Sequence, residues 1–174
     1  MKNFGGPVLF LDRADINTDE IIPARYLTEV SKTALAPHLL EDLALDGFDP
    51  AADIAGKGAL VTRANFGCGS SREHAAWALE VNDINLVVAE SFSRIFRQNM
   101  FNCGMLAVQL APEAIADLLA QFAGQKTTVA VDWNRSLLIF TAGDMRRETA
   151  FDLSDFDRDL IEAGGWVEYA DSRY

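Results

Sequence analysis

Cysteine is scarce in this chain. Cys68 and Cys103 are the only two among 174 residues, too few for a disulfide framework or for a metal cluster held by this chain alone. There is no C-x-x-C pair, which removes the thioredoxin-like redox motif. Basic residues are also in deficit: 15 Lys and Arg stand against 26 Asp and Glu, giving a net charge of −11 and a pI near 4.5. A nucleic-acid or anionic-membrane surface needs a basic stripe to neutralise phosphates, so both are disfavoured. No apolar run approaches the roughly 18 residues of a membrane span. The opening Met-Lys-Asn-Phe-Gly-Gly carries no h-region, and the expected location is the cytoplasm. With 49% apolar and 24% charged residues, disorder and low complexity are excluded. The length suits one domain, residues 1–174.

The charge is unevenly spread. Between Ala59 and Gly104 four arginines (Arg63, Arg72, Arg94, Arg97) balance four acids (Glu73, Glu80, Asp83, Glu90), so the whole −11 lies outside this segment. From Asp144 onward nine acids face four arginines. Every base of the central segment is Arg, the side chain suited to bidentate carboxylate recognition.

Hydrophobic periodicity orders the chain as an α/β protein. Val8–Leu11 reads as a strand, and Asp15–Pro23 as a loop with one helical turn. Leu35, Leu39, Leu40 and Leu43 keep helical spacing across Ser31–Gly47, interrupted by Pro37. Phe48–Gly58 is turn-rich and reads as a surface loop. Ala59–Arg63, Asn85–Ala89 and Met105–Leu110 are short apolar strands separated by helical stretches Ser71–Val81 and Phe92–Asn102. That alternation implies crossover units and a parallel sheet flanked by helices. Pro112 opens a helix with Ile115, Leu118, Leu119 and Phe122 on its apolar face, ending at Gly124. Thr127–Val131 and Leu137–Phe140 read as a hairpin across Trp133-Asn134-Arg135. Ser154-x-x-Asp157 caps a last helix that stops at Gly164-Gly165.

The stretch richest in chemistry is Asn65-Phe66-Gly67-Cys68-Gly69-Ser70-Ser71-Arg72-Glu73-His74, between a strand and a helix. In a parallel sheet the carboxyl ends of the strands are where ligands bind. Unpaired N–H groups at a helix start, with the Arg72 fork beside them, make an anion site. A purely structural reading competes: Ser70-x-x-Glu73 fits a capping box. Cys68 reads as a small turn residue or as an activated thiolate. Gly67-Cys68-Gly69 lacks the remaining glycine of a dinucleotide fingerprint, and no Gly-Lys-Ser/Thr follows.

Asn65–His74 with Ala75-Ala76-Trp77-Ala78-Leu79 closely resembles the signature of 3-isopropylmalate dehydratase small subunits, the aconitase-like swivel domain. Asp15–Leu27 resembles that family's N-terminal motif, and Ser91–Asn99 its third motif, in the family's order. The resemblance implies a single swivel-type β/β/α domain. It also implies a hydro-lyase of leucine biosynthesis that interconverts 2- and 3-isopropylmalate, active only with a large subunit as heterodimer or heterotetramer. In the family a [4Fe-4S] cluster acts as Lewis acid and is held by three cysteines of the large subunit, so this chain is expected to bind none.

By the same resemblance Ser70 is the base, Arg72 holds a substrate carboxylate, Ser71 and Gly69 line the substrate, and Asp19 orients or relays protons. Asp19 also reads as an Asx cap of the turn before Ile21-Ile22. Arg25 and Thr28 belong to the loop that helps select the substrate's variable group. Thr28 and Glu29 supply no cation for a third carboxylate, which favours an apolar group such as isopropyl. Arg94 and Asn99 read as structural and His74 as packing; His38 carries no signal. Two alternatives stay open: a small subunit for homoaconitate, citraconate/citramalate or dimethylmalate, and a non-enzymatic anion-binding module.

Overall fold

Seven strands form one sheet in the computed structural model, which describes residues 1–174. The chain begins with β1 (Gly5–Leu11), the single turn α1 (Thr18–Ile21), 3-10 segments at Ala24–Tyr26 and Lys32–His38, and the short α2 (Pro50–Asp53). Next come β2 (Ala59–Thr62), α3 (His74–Glu80), β3 (Leu86–Ala89), α4 (Arg94–Asn102), β4 (Leu106–Gln109) and α5 (Pro112–Phe122). It closes with β5 (Thr128–Asp132), β6 (Leu137–Ala142), β7 (Met145–Ala150), α6 (Asp155–Ala163) and α7 (Trp166–Arg173). The spatial order is β4-β3-β2-β1-β5-β6-β7. β1 to β4 pair in parallel; β5, β6 and β7 continue antiparallel from the other edge of β1.

The parallel half is apolar because it is covered on both faces. All four residues of β2 and all four of β3 are buried, which is why they read as unbroken apolar runs. The crossovers put α3 and α4, which pack on each other, on one face. α5 returns across β2 and buries Ile115, Leu118, Leu119 and Phe122. Each of these side chains contributes about 1.5–3 kcal/mol by leaving water. In the antiparallel half burial alternates: β6 buries Leu138, Phe140 and Ala142, and Phe140 meets Phe122 at 6.1 Å between ring centroids. One continuous core of 43 buried residues joins both halves.

Four expectations need correction. The leucine-rich stretch after Ser31 forms a 3-10 segment with Pro37 inside it, since proline lacks the N–H and clashes with the preceding turn of an α-helix. The loop Phe48–Gly58 contains α2, capped by Asp49 through Ala51 N and opened by Pro50. The helix expected from Ser71 begins only at His74. β7 and α7 had no periodic signal; β7, Met-Arg-Arg-Glu-Thr-Ala, is a strand because β6 pairs with it along its whole length. The hairpin and the last predicted helix stand as expected, with Ser154 Oγ accepting from Asp157 N at 3.1 Å.

Candidate functional site

The three sequence motifs follow β1, β2 and β3 and meet beyond the carboxyl ends of these strands. Backbone hydrogen bonds hold them together: Asp15 N donates to Ala64 O at 2.9 Å, Gly67 N to Ile16 O and Thr18 N to Cys68 O at 2.8 Å. From the third motif, Ser91 O accepts from Phe66 N at 3.1 Å and Ser91 Oγ from Asn65 N at 2.8 Å. Asp15 and Asn65 both take left-handed backbone, the conformation that short Asx side chains tolerate best. Asn65 Nδ2 donates to Asp15 Oδ1 at 2.9 Å.

This pinning brings residues 52 positions apart into contact. Ser70 Oγ accepts from Arg72 Nε at 2.6 Å and lies 3.3 Å from Thr18 Oγ1. Arg72 Nη1 reaches Asp19 Oδ1 at 2.6 Å; the arginine side chain is 16% exposed and the aspartate 63%. The N–H directions miss that oxygen, so the buried Nη1 has an ion-pair partner but no hydrogen-bond acceptor. Half in water, such a pair contributes at most about 1 kcal/mol to stability.

Both structural readings of these residues give way. Ser70 caps no helix: α3 starts at His74, its N-cap is Glu73, and no side chain caps it. The support for the Ser70 oxygen therefore comes from Arg72 and Thr18, not from a helix start. Asp19 is not the cap of α1 either. Asn17 is, in a complete capping box in which Asn17 Oδ1 accepts from Glu20 N at 2.9 Å and Glu20 Oε1 from Asn17 N at 3.3 Å.

Other candidates sit at varying distances from this group. Gly69 lies against Thr18, and a Cβ there would stand 3.3 Å from Thr18 Oγ1. Ser71 is exposed, its hydroxyl has no partner in the chain, and its carbonyl accepts from buried Asn99 Nδ2 at 3.4 Å. Arg94 is exposed and unpaired at the start of α4, and His74 packs on Trp77 at 4.6 Å. Arg25 is not joined to Ser70 by any hydrogen bond or ion pair. Its guanidinium is held by Asp42 at 2.9 Å and by Glu41. Both carboxylates raise its pKa further above the ordinary arginine value. Thr28 is exposed beyond it.

The two cysteines do not form a ligand set. Cys68 lies in the turn beyond β2, while Cys103 ends α4 at the opposite, amino end of β4. Burial pushes the Cys103 thiol up to about 12, with Glu80 adding to the shift. Burial and then Asp15 raise Cys68. The two sulfurs stand at opposite ends of the sheet, and no group of three or more His, Cys, Asp or Glu could hold a metal ion. These residues do not fit an iron–sulfur cluster. No helix is long and apolar enough to cross a membrane.

Sequence reasoning missed Thr18. It is buried and polar, and its hydroxyl shares Ser70 with Arg72; its only signal was adjacency to Asp19.

The chain has counterparts among known proteins. A family model described as the aconitase C-terminal domain matches residues 47–113. The 3-isopropylmalate dehydratase small subunit of Bacillus licheniformis is 34% identical over 172 residues, covering 94% of this chain and 85% of the relative. That of Granulibacter bethesdensis is 37% identical over 160 residues, covering 87% and 75%. The crystal structure of 3-isopropylmalate dehydratase from Methanocaldococcus jannaschii superposes with a TM-score of 0.79 at 27% identity, covering 98% of this chain and 94% of that one.

Proposed function

The chain belongs to the family of 3-isopropylmalate dehydratase small subunits, and we propose that it contributes Ser70, Arg72 and Asp19 to an active site completed by a large subunit. It is the small subunit of a hydro-lyase that interconverts 2- and 3-isopropylmalate in leucine biosynthesis. The observation that carries the site reading is the group Thr18–Ser70–Arg72–Asp19, assembled from two motifs at the carboxyl ends of parallel strands.

The chemistry requires a base for the proton beside a carboxylate and a cation for that carboxylate. Ser70 Oγ is the base; Arg72 Nε and the Thr18 hydroxyl stabilise negative charge on it. The Arg72 guanidinium receives the carboxylate, and Asp19, paired with Nη1, keeps it turned toward Ser70. Ser71 and the Gly69 backbone line the substrate.

A serine hydroxyl acts as base only where water is excluded, because in water its anion is too costly. Ser70 is exposed in the free chain, so the partner must cover it. The [4Fe-4S] cluster belongs to that large subunit, since Cys68 and Cys103 stand at opposite ends of the sheet. Both thiols being free suits the reducing cytoplasm. The loop bearing Arg25 and Thr28 offers no free cation, because Glu41 and Asp42 already neutralise Arg25. This favours the isopropyl group over a carboxylate-bearing arm as in homoaconitate.

Reconstitution tests the proposal. The isolated chain is expected to show no turnover and to bind no iron, and addition of a cluster-bearing large subunit to produce isopropylmalate isomerisation. Turnover by the isolated chain, or a complex that works on homoaconitate and not on 3-isopropylmalate, would overturn it.

A further inference from the structure

We propose that Arg63 is a positioning residue for the isomerisation, clamping the roots of the three loops that build the site; this rests on the site reading above. Asp12, Arg63 and Glu90 are the first residues beyond β1, β2 and β3. Leu11 pairs with Thr62 and Val61 with Val88, so the continued register sets Asp12 beside Arg63 one step on and Arg63 beside Glu90 two steps on. The contacts follow that row: Arg63 Nε donates to Asp12 Oδ1, and Nη1 lies 3.6 Å from Glu90 Oε1. One guanidinium thus spans the ends of three adjacent strands.

Each member stands next to a loop anchor. Arg13, after Asp12, pairs with Glu20 of α1. Ala64, after Arg63, accepts from Asp15 N at 2.9 Å. Ser91, after Glu90, holds Asn65 and Phe66. The strands themselves do not need this clamp. Buried Thr62 already stitches β2 to the end of β1, with Oγ1 donating to Leu11 O at 2.9 Å and Arg13 O at 3.0 Å. Arg63 is left with setting the relative heights of the loops that carry Asp19 and Ser70. Its two acids neutralise it, so it is not itself a carboxylate receptor.

The test compares Arg63→Met, Arg63→Lys and Glu90→Gln in the reconstituted enzyme and in the free chain. In the complex, Arg63→Met is expected to lower kcat about tenfold or more, as small misplacements of reacting groups do. KM for 3-isopropylmalate stays within about twofold, and the partly exposed pairs leave the melting temperature of the chain within about 2 °C. Arg63→Lys, which keeps the charge but reaches one acid at a time, restores part of kcat, and Glu90→Gln loses less than Arg63→Met. In the free chain, amide hydrogen exchange at Thr18 and Gly67 quickens in Arg63→Met while Val61 and Val87 keep wild-type protection. Wild-type kcat in Arg63→Met, or wild-type exchange at Thr18 and Gly67, would overturn the proposal. If the wild-type complex showed no isomerisation, the site reading would fail, and exchange in the free chain would still decide the role of Arg63.

Discussion

In the parallel half of the sheet, β1 to β4, side chains from both faces enter the core. In the antiparallel half, β5 to β7, burial alternates and fades toward β7, where no residue is buried. The difference decides where polar groups can go. A strand covered on both faces releases them only at its ends, so Asp12, Arg63, Glu90, Asp19, Ser70 and Arg72 crowd beyond the carboxyl ends. A half-covered sheet releases them sideways, so Arg146, Arg147 and Glu148 spread along an edge strand and discourage pairing with another chain. The first pattern concentrates chemistry, and the second distributes charge.

The strongest way to break this comparison is to remove one hydroxyl from the crowded end. Ser70→Ala in the reconstituted complex is expected to cost about 10²- to 10⁴-fold in turnover, the range for loss of a general base. Because Ser70 caps no helix, the free chain should melt within about 1 °C of wild type, against the roughly 0.5–2 kcal/mol that loss of a cap would bring. Arg146→Ala on β7 should leave turnover within about twofold. Wild-type turnover in Ser70→Ala would remove Ser70 as base and leave the two halves without a functional distinction.

Two glycines extend the comparison to stability. Gly67, beyond β2, has φ +81, and a Cβ there would meet the Phe96 ring at 2.2 Å. Gly143, in the β6–β7 turn, has φ +56 with nothing within 4 Å of a Cβ. Both substitutions by Ala bear the left-handed backbone cost of about 1–2 kcal/mol. Gly67→Ala adds about 1–3 kcal/mol for displacing a packed ring. Urea titration should therefore give a clearly larger loss for Gly67→Ala. Equal losses would mean that the loops of the parallel half pack no more tightly than an open hairpin turn.

Much of the parallel half could be read from sequence because double coverage leaves an unmistakable apolar run, as in Leu86–Ala89. The alternation of such runs with Ala-rich or amphipathic stretches then dictates crossovers. β7 could not be read, since Met-Arg-Arg-Glu-Thr-Ala owes its conformation to β6 and not to its own side chains. At the site, the residue types of Ser70 and Arg72 pointed to carboxylate chemistry, and the resemblance supplied their roles. What the sequence could not resolve was competition between local and distant partners. Ser70-x-x-Glu73 satisfies the pattern of a capping box, yet Ser70 bonds Arg72 and faces Thr18, while the box that forms is Asn17–Glu20. Arg25 and Asp42, 17 positions apart, meet in a contact that no local pattern predicts.

The smallest expected effect is electrostatic and has one member in each half. In the β1–β2 crossover, burial pushes the Glu41 carboxyl up, but hydrogen bonds from Tyr26, His38 and Arg25 outweigh it and hold the group below its ordinary 4.5. In the β5–β6 turn, the Arg135 guanidinium holds Asp132 below its ordinary 3.8. A carboxylate depressed in the folded state contributes stability that is complete above its unfolded pKa and is lost as the pH falls through the folded value. The Asp132 contribution should therefore hold between about pH 7 and pH 5, and both should fade as the pH falls below the ordinary carboxylate values of about 4. The local consequences differ. Protonating Glu41 frees one arm of Arg25 and the Tyr26 hydroxyl, loosening the segment that carries them, whereas the β5–β6 ladder still holds the strands when Asp132 is protonated. Carboxyl titration by NMR should place the Glu41 midpoint below 4.5 and the Asp132 midpoint below 3.8. A Glu41 midpoint above its ordinary value would mean that burial outweighs its three donors, leaving Arg25 freer to meet a substrate carboxylate than its contacts with Glu41 and Asp42 allow.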